Sequence, residues 1–150
     1  MVHGPGKRMN GQAAILLYKS GDMEHWSYVK PLLTEKEEGI RCFECPDFFS
    51  LDGCYVAWGA LMCHKDRGGR FQMSRYYIGE FKDENFSVES TGWYDFGSNC
   101  YAMQSFEHEG RRIAIGWISD FYGEHVKAED SAYGSATIPR VLHVKEHSFI

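Results

Sequence analysis

Short β-strand signals, separated by tight-turn pairs, run through the whole of this 150-residue chain. Residue types that favour strands cluster at 13–18, 55–62, 71–81, 101–106, 112–119 and 136–144. The turn pairs between these stretches are Asp52-Gly53, Gly68-Gly69 and Glu109-Gly110. One short piece, 34–38, favours a helix that Gly39 would end. Strands in succession without long intervening helices predict an antiparallel all-β protein.

Two of the predicted strands end in a similar way, and each follows a hairpin turn. One carries Ala57-Trp58-Gly59 and the other carries Ile115-Gly116-Trp117. This repetition favours four-stranded units of about 40–50 residues, the size of one blade of a β-propeller, and about three such units fit the chain. A lone β-sandwich is the competing fold, and the strand pattern alone does not exclude it.

The length, charge and hydropathy of the chain limit the classes of protein to which it can belong. A chain of 150 residues makes one domain with room for a core of its own. The net charge of −5 and the absence of a basic run argue against a nucleic-acid partner. No apolar stretch is long enough to span a bilayer, so no membrane partner is expected. Residues 1–8 lack the apolar centre of a signal peptide.

The cysteines do not form a recognisable framework. There are five of them, Cys42, Cys45, Cys54, Cys63 and Cys100. Cys42 and Cys45 have the spacing of half a zinc site, but no second pair completes it, so neither a metal nor another cofactor is expected. We therefore expect reduced thiols in a cytoplasmic protein.

The stretch Glu44-Cys45-Pro46-Asp47 carries the clearest chemical signal. It places a carboxyl group at the start of an aromatic, strand-like run that closes at Asp52-Gly53. A carboxyl group fixed on a strand and crowded by apolar neighbours suits general acid catalysis. Taken alone, a glutamate at the start of a strand is more often a solvated end residue. A catalytic role for Glu44 therefore needs support from other segments of the sequence.

Two later segments follow in order. They are Asp95-Phe96-Gly97 leading into Tyr101-Ala102-Met103-Gln104, and Ile115-Gly116-Trp117. Together with Glu44-Cys45-Pro46 they resemble the invertase and fructanase family of retaining β-fructosidases, glycoside hydrolase family 32. Weaker likeness at 16–28, at 76–81 and at Pro139-Arg140 extends the resemblance over nearly the whole chain.

The resemblance implies a five-bladed β-propeller with its active site at one end of the central channel. Residues 1–150 would then form a single incomplete propeller domain, with parts of blades two to five making about three blades. The family's Asn-Asp-Pro-Asn segment with the nucleophile, its Arg-Asp-Pro segment and its C-terminal β-sandwich have no counterpart in the sequence. Because an incomplete propeller exposes strand edges and blade faces, we expect self-association, most simply as a dimer.

The resemblance also implies roles for individual residues. Glu44 would be the catalytic acid/base, which protonates the leaving oxygen and later deprotonates water. Three residues would lie at the sugar: Cys45, Tyr101 and Trp117. Cys45 would pack beside the acid and tune it. Tyr101 would donate a hydrogen bond near the carboxylates, and Trp117 would line the sugar pocket.

The supporting residues and the missing nucleophile are less clear. Asp95 would support the acid, and Asn99 stands where the family usually has an aspartate. Asp47 is three residues from Glu44, and odd spacing predicts that it faces the opposite side of the strand. The remaining carboxylates considered as nucleophiles lie in turn-like contexts, at Asp22, Asp52 and Asp120.

Hydrolysis of a β-fructofuranoside such as sucrose, sucrose phosphate or a fructan is the function that the resemblance implies for the parent protein, with a carbohydrate as its ligand. The isolated chain is expected to be inactive, because double displacement needs the missing aspartate. One alternative is a related five-bladed glycosidase that acts on arabinose or xylose polymers. Another is a non-catalytic remnant that binds carbohydrate.

Overall fold

A computed structural model of the chain describes residues 12–37, 39–118 and 134–150, together with the backbone of 2–3 and 8–9. The strands are β1 (Val2–His3), β2 (Arg8–Met9), β3 (Gln12–Lys19), β4 (Ser27–Thr34), β5 (Phe43–Leu51), β6 (Cys54–Leu61), β7 (Ser74–Lys82), β8 (Asn85–Trp93), β9 (Cys100–His108), β10 (Arg111–Ile118), β11 (Ser135–Ala136), β12 (Arg140–Val141), β13 (Val144–Lys145) and β14 (Ser148–Phe149). Among the described residues, no helix is long and apolar enough to cross a membrane.

Three four-stranded sheets follow one another along the chain, and their strand pairs are antiparallel. In the first sheet, β1, β2 and β4 all pair with β3. The second has the regular order β5-β6-β7-β8. In the third, β9, β11 and β12 pair with β10, and β13 and β14 form a separate hairpin. The predicted antiparallel all-β fold in four-stranded units is confirmed.

The hairpin turns explain which strands could be read from the sequence. Asp52-Gly53 and Glu109-Gly110 form the predicted turns, and all four residues have the positive φ that tight hairpins require. A third hairpin, at Asp83 and Glu84, also has positive φ at both residues but contains no glycine. The sequence therefore contains no turn signal at this position, and β8 was not among the predicted strands.

The helix predicted at 34–38 is wrong for the part that the structure describes. Thr34 is the last residue of β4. The Glu35 carboxylate then accepts the N–H groups of Lys36 and Glu37, at 2.8 and 2.9 Å. A carboxylate that accepts nearby N–H groups is also how a helix begins, so the same residues favour both structures. Glu38 lies outside the described residues.

The predicted strand at 136–144 is instead a series of short strands. It contains the last residue of β11, the whole of β12 and the first residue of β13, separated by irregular residues. Pro139 lies between β11 and β12 and has no N–H group to donate to a neighbouring strand, which explains a break at this point. Residue 119, at the end of another predicted strand, lies outside the described residues.

The second sheet has a buried apolar core on each of its faces. Ala57 and Leu61 of β6 belong to a core shared with β3 and β4. Val56 and Trp58 of the same strand belong to a core shared with β9 and β10. This division follows the two-residue period of a strand. Packing on both faces holds the second sheet between its neighbours, so its edge strand β5 has a defined position.

Tyr77 and Glu35 give a test of the packing between the first two sheets. Tyr77 donates a hydrogen bond to the Glu35 carboxylate, and Arg75 lies 3.5 Å from the same group. Although burial raises it, the pKa of Glu35 is lowered overall by Tyr77, the Glu37 N–H and Arg75. Tyr77→Phe should lower the free energy of unfolding by about 1–3 kcal/mol, because a half-buried carboxylate loses a donor. Urea denaturation at pH 7 measures this loss.

Tyr28→Phe is the matched control, because Tyr28 is exposed on β4. Its effect should stay within about 0.5 kcal/mol. Equal losses in the two variants would contradict a stabilising role for the bond between Tyr77 and Glu35.

Candidate active site

A β-bulge interrupts each of the strands β5 and β9. On β5, two residues lie between Glu44 and Asp47, whereas a single residue of β6 lies between their partners Ala60 and Trp58. On β9, two residues lie between Tyr101 and Gln104, whereas a single residue of β10 lies between the partners of these two residues. The residue after Glu44 is Cys45, with φ 47°, and the residue after Tyr101 is Ala102, with φ 51°. Non-glycine residues rarely adopt this conformation, and bulges of this kind redirect side chains near functional sites.

Glu44 and Tyr101 meet between the two bulged strands. The Tyr101 hydroxyl donates a hydrogen bond to Oε2 of Glu44 at 2.5 Å. Tyr101 is buried, and Glu44 is partly exposed. Burial, together with the bond to Glu44, raises the pKa of Tyr101 far above its ordinary value. The phenol therefore stays protonated and keeps its proton directed at the carboxylate.

Cys45 lies beside this pair with its side chain exposed. The part of the thiol that is shielded from solvent and the negative charge of Glu44 both raise its pKa. The thiolate is the reactive form of cysteine, so this environment makes Cys45 a poor nucleophile. The predicted role of Cys45 in packing beside the acid and tuning it stays a prediction.

Trp117 is the cross-strand neighbour of Tyr101, because the two residues are paired in register between β10 and β9. Directly paired residues project from the same face of a sheet. Gly134 lies against the indole ring, and a Cβ atom there would come within 2.2 Å of Trp117 Nε1. A glycine at position 134 is thus required for Trp117 to keep its place beside Tyr101.

Asp95 and Asn99 lie in the loop that leads into β9. Asp95 binds Arg140 at 2.8 Å and accepts the N–H of Gly97 at 2.9 Å. Although burial raises it, the pKa of Asp95 is lowered overall by these two partners. Asn99 has φ 69°, and its N–H donates to the carbonyl of Phe71. These contacts hold the loop, and the predicted support of the acid by Asp95 and Asn99 stays a prediction.

The prediction that Asp47 faces away from Glu44 is wrong. The bulge adds one residue between them, so their partners Ala60 and Trp58 are two residues apart and share a face of β6. Asp47 therefore projects to the same side as Glu44. Its Oδ2 accepts hydrogen bonds from the hydroxyl and the N–H of Ser105, at 2.5 and 3.2 Å.

Arg112 completes the surroundings of Asp47. Its guanidinium group lies 3.6 Å from Asp47 Oδ2 and donates from Nε to the Ser105 hydroxyl at 2.8 Å. Both charged side chains are only 17% exposed. An aspartate held in this way has its oxygens engaged and is a poor nucleophile. Asp120, another carboxylate considered from the sequence, lies outside the described residues.

Sequence analysis missed the side chains that connect the two bulged strands, above all Gln104, Ser105 and Arg112. A proline inside a strand is a recognised sign of a bulge, and Pro46 could have indicated the change of face. Nothing comparable marks the bulge at Ala102. Within the described ranges, no cluster of three or more His, Cys, Asp or Glu side chains could hold a metal ion.

The chain resembles proteins of one family along its whole length. The model for the glycosyl hydrolases family 32 N-terminal domain matches residues 1–150. A sucrose-6-phosphate hydrolase from Zymomonas mobilis subsp. mobilis is 31% identical over 155 residues, which cover 96% of this chain and 30% of that protein.

Solved structures agree with the sequence match. A glycoside hydrolase family 32 structure from Bifidobacterium adolescentis superposes with a TM-score of 0.84 at 37% identity, covering 92% of this chain and 23% of that one. A variant β-fructofuranosidase from Bombyx mori, in complex with sucrose, gives a TM-score of 0.79 at 29% identity, covering 94% and 32%.

The chain spans about a third or less of the length of these proteins. Their structures confirm that its successive antiparallel sheets are blades of a β-propeller and not the faces of a lone sandwich. The family match and the arrangement of Glu44, Tyr101 and Trp117 point to one conclusion. This chain belongs to glycosyl hydrolase family 32.

Proposed function

We propose that this chain carries the acid/base of a β-fructosidase that cleaves sucrose, sucrose 6-phosphate or a fructan. The observation that carries the proposal is the hydrogen bond from Tyr101 to Glu44, between two bulged strands of a family 32 domain. The relative from Zymomonas mobilis is a sucrose-6-phosphate hydrolase, and the Bombyx mori structure contains sucrose. These names support a fructoside as the substrate.

Glu44 would work in two proton transfers. As an acid it gives its proton to the oxygen that leaves with the glucosyl group, and as a base it later takes a proton from water. Tyr101 keeps its own proton, so it stabilises the ionised carboxylate between the two steps. Trp117 would present a flat ring to the sugar.

A retaining mechanism also needs a carboxylate that attacks the anomeric carbon. Among the described residues, Asp47 is the carboxylate that the bulge brings to the same side as Glu44, and Ser105 and Arg112 already engage it. The chain would therefore provide the proton-transfer part of the site without its own attacking group.

Chemical rescue with azide tests this division of roles. The chain alone should show little or no hydrolysis of sucrose, and added sodium azide should accelerate cleavage. Azide would form the bond to C2 of the fructosyl group while the C2–O bond breaks, and Glu44 would give its proton to the departing glucose oxygen. The product should be fructosyl azide with inverted configuration, which NMR and mass spectrometry detect.

Glu44→Gln is the decisive control for the acid. With sucrose, rescue by azide should fall by about 10²–10⁴-fold, which is the usual contribution of general acid catalysis. With an activated aryl fructoside the loss should be much smaller, because that leaving group needs little protonation. Equal losses on the two substrates would show that Glu44 is not the acid. Fast hydrolysis without azide would point to a nucleophile within the chain, for which Asp47→Asn is the next test.

We also propose that the chain self-associates, most simply as a dimer. The support is a set of exposed apolar side chains: Phe96, in the loop before β9, is 91% exposed, and Ile138, between β11 and β12, is 82% exposed. Ile118, itself half exposed, lines a cavity of about 320 Å³ together with Ile138. Neighbouring exposed apolar residues are typical of interaction surfaces.

Light scattering at micromolar concentration should give about twice the monomer mass of 17.2 kDa. The double variant Phe96→Ser, Ile138→Ser should shift the population toward monomer. Met23→Ser, which removes a side chain 76% exposed in the loop between β3 and β4, should leave the mass unchanged. A clean monomer of the unmodified chain would contradict the proposal.

A further inference from the structure

The two bulges lie close together on neighbouring sheets, and each contains two residues without a register partner. Cys45 has no register partner on β6. Met103 has no register partner on β10. Backbone carbonyls displaced from a ladder need other donors or water. How these two groups are satisfied therefore bears on the positions of Glu44 and Tyr101, which each stand at the start of a bulge.

Gln104 supplies a donor to both carbonyls. Its Nε2 atom lies 3.0 Å from the Cys45 oxygen and 2.7 Å from the Met103 oxygen. A side-chain amide carries two hydrogens on this nitrogen, so one group can serve both acceptors at once. One of these bonds reaches the neighbouring sheet and the other returns to its own strand.

The link from Gln104 to Cys45 matters because backbone hydrogen bonds do not join these strands. In the described pairings β5 is bonded to β6, and β9 is bonded to β10. Side chains therefore make the described hydrogen bonds between the two strands. The Ser105 bonds to Asp47 hold the far end of the β5 bulge, and the Gln104 bond holds the bulged residue itself.

The bond to Cys45 acts directly next to the acid. Cys45 follows Glu44, and its positive φ is unfavourable for a residue with a Cβ atom, so the surrounding structure has to hold it in place. Rotation about the Cys45 backbone would turn the peptide that connects it to Glu44. The hydrogen bond of 2.5 Å from Tyr101 to Glu44 tolerates little such movement, because hydrogen bonds weaken steeply when their geometry is lost.

We propose that Gln104 is a positioning residue, whose single amide group ties the two bulges together and so keeps Glu44 aligned with Tyr101. The proposal rests on the proposed role of Glu44 as the acid/base. Gln104 is exposed, so its two hydrogen bonds contribute modestly to overall stability. Its removal should therefore disturb the alignment more than the fold.

The test follows the hydroxyl proton of Tyr101 by NMR in the full chain, because a phenol bonded this closely to a carboxylate gives a strongly downfield signal. Tyr101→Phe identifies the signal by its loss. Gln104→Met keeps the length of the side chain and removes its donors, so the signal should disappear or move upfield. Gln104→Lys restores a donor and should preserve it. Gln12→Met, a change of the same type at an exposed residue of β3, should have no effect.

Turnover supported by azide gives a second readout. Gln104→Met should lower it at least about tenfold with little change in KM, because a misaligned acid affects the transition state and not ground-state binding. Far-UV circular dichroism checks that each variant is folded. Should Gln104→Met not fold, Gln104→Asn keeps the amide but shortens the side chain by one methylene, and it should also lose the signal.

An unchanged Tyr101 signal in a folded Gln104→Met variant would overturn the positioning role. Loss of the signal in both the Met and the Lys variants would overturn it too, because the restored donor would then have no effect. The NMR result does not depend on turnover. Failure of the positioning role would thus leave azide rescue intact, whereas failure of the proposed function would abolish rescue and leave the NMR comparison valid.

Discussion

The geometry of this site depends on one extra residue in each of two strands. A regular β5 would place Asp47 on the face opposite Glu44, as residues at odd spacing do. The bulge cancels this alternation, so Glu44 reaches Tyr101 and Asp47 reaches Ser105 on the same neighbouring strand. The β-bulge in β9 likewise brings the Gln104 amide next to Cys45. Every described hydrogen bond between the strands that carry Glu44 and Tyr101 therefore lies at or next to one of these two bulges.

Packing in the rest of the fold offsets the conformational strain of the two bulges. Cys45 and Ala102 adopt a backbone conformation that is unfavourable for residues with a Cβ atom. It persists where surrounding structure leaves the chain no alternative. The second sheet is packed on both faces, and Phe43 lies so close to Gly59 that an added Cβ would come within 2.8 Å of it. The residue before Glu44 therefore has a fixed place.

The sequence predicted the parts of the fold that local signals determine. The predicted turns that contain glycine were correct, and so was the predicted antiparallel all-β class. The turn at Asp83 and Glu84 lacks glycine, so β8 was missed, and Glu35 made a turn that resembles the start of a helix. Glu44, Tyr101 and Trp117 came from the resemblance to a family. The side of the strand that Asp47 faces, and the contacts of Gln104, depend on bulges, which tertiary packing decides.

The groups around Glu44 differ in charge and in the partners that hold them. Burial and the nearby carboxylate hold Tyr101 and Cys45 in their neutral forms. Asp47, the other carboxylate on this side, is matched by the cationic Arg112, whose guanidinium group also lies 4.0 Å from the centre of the Phe49 ring. The phenol and the thiol are neutral and Asp47 has a cationic partner, whereas the described residues place no cation in an ion pair with Glu44. The acid/base role proposed for Glu44 calls for such a separation, because one carboxyl group has to give and take the proton while its neighbours keep theirs.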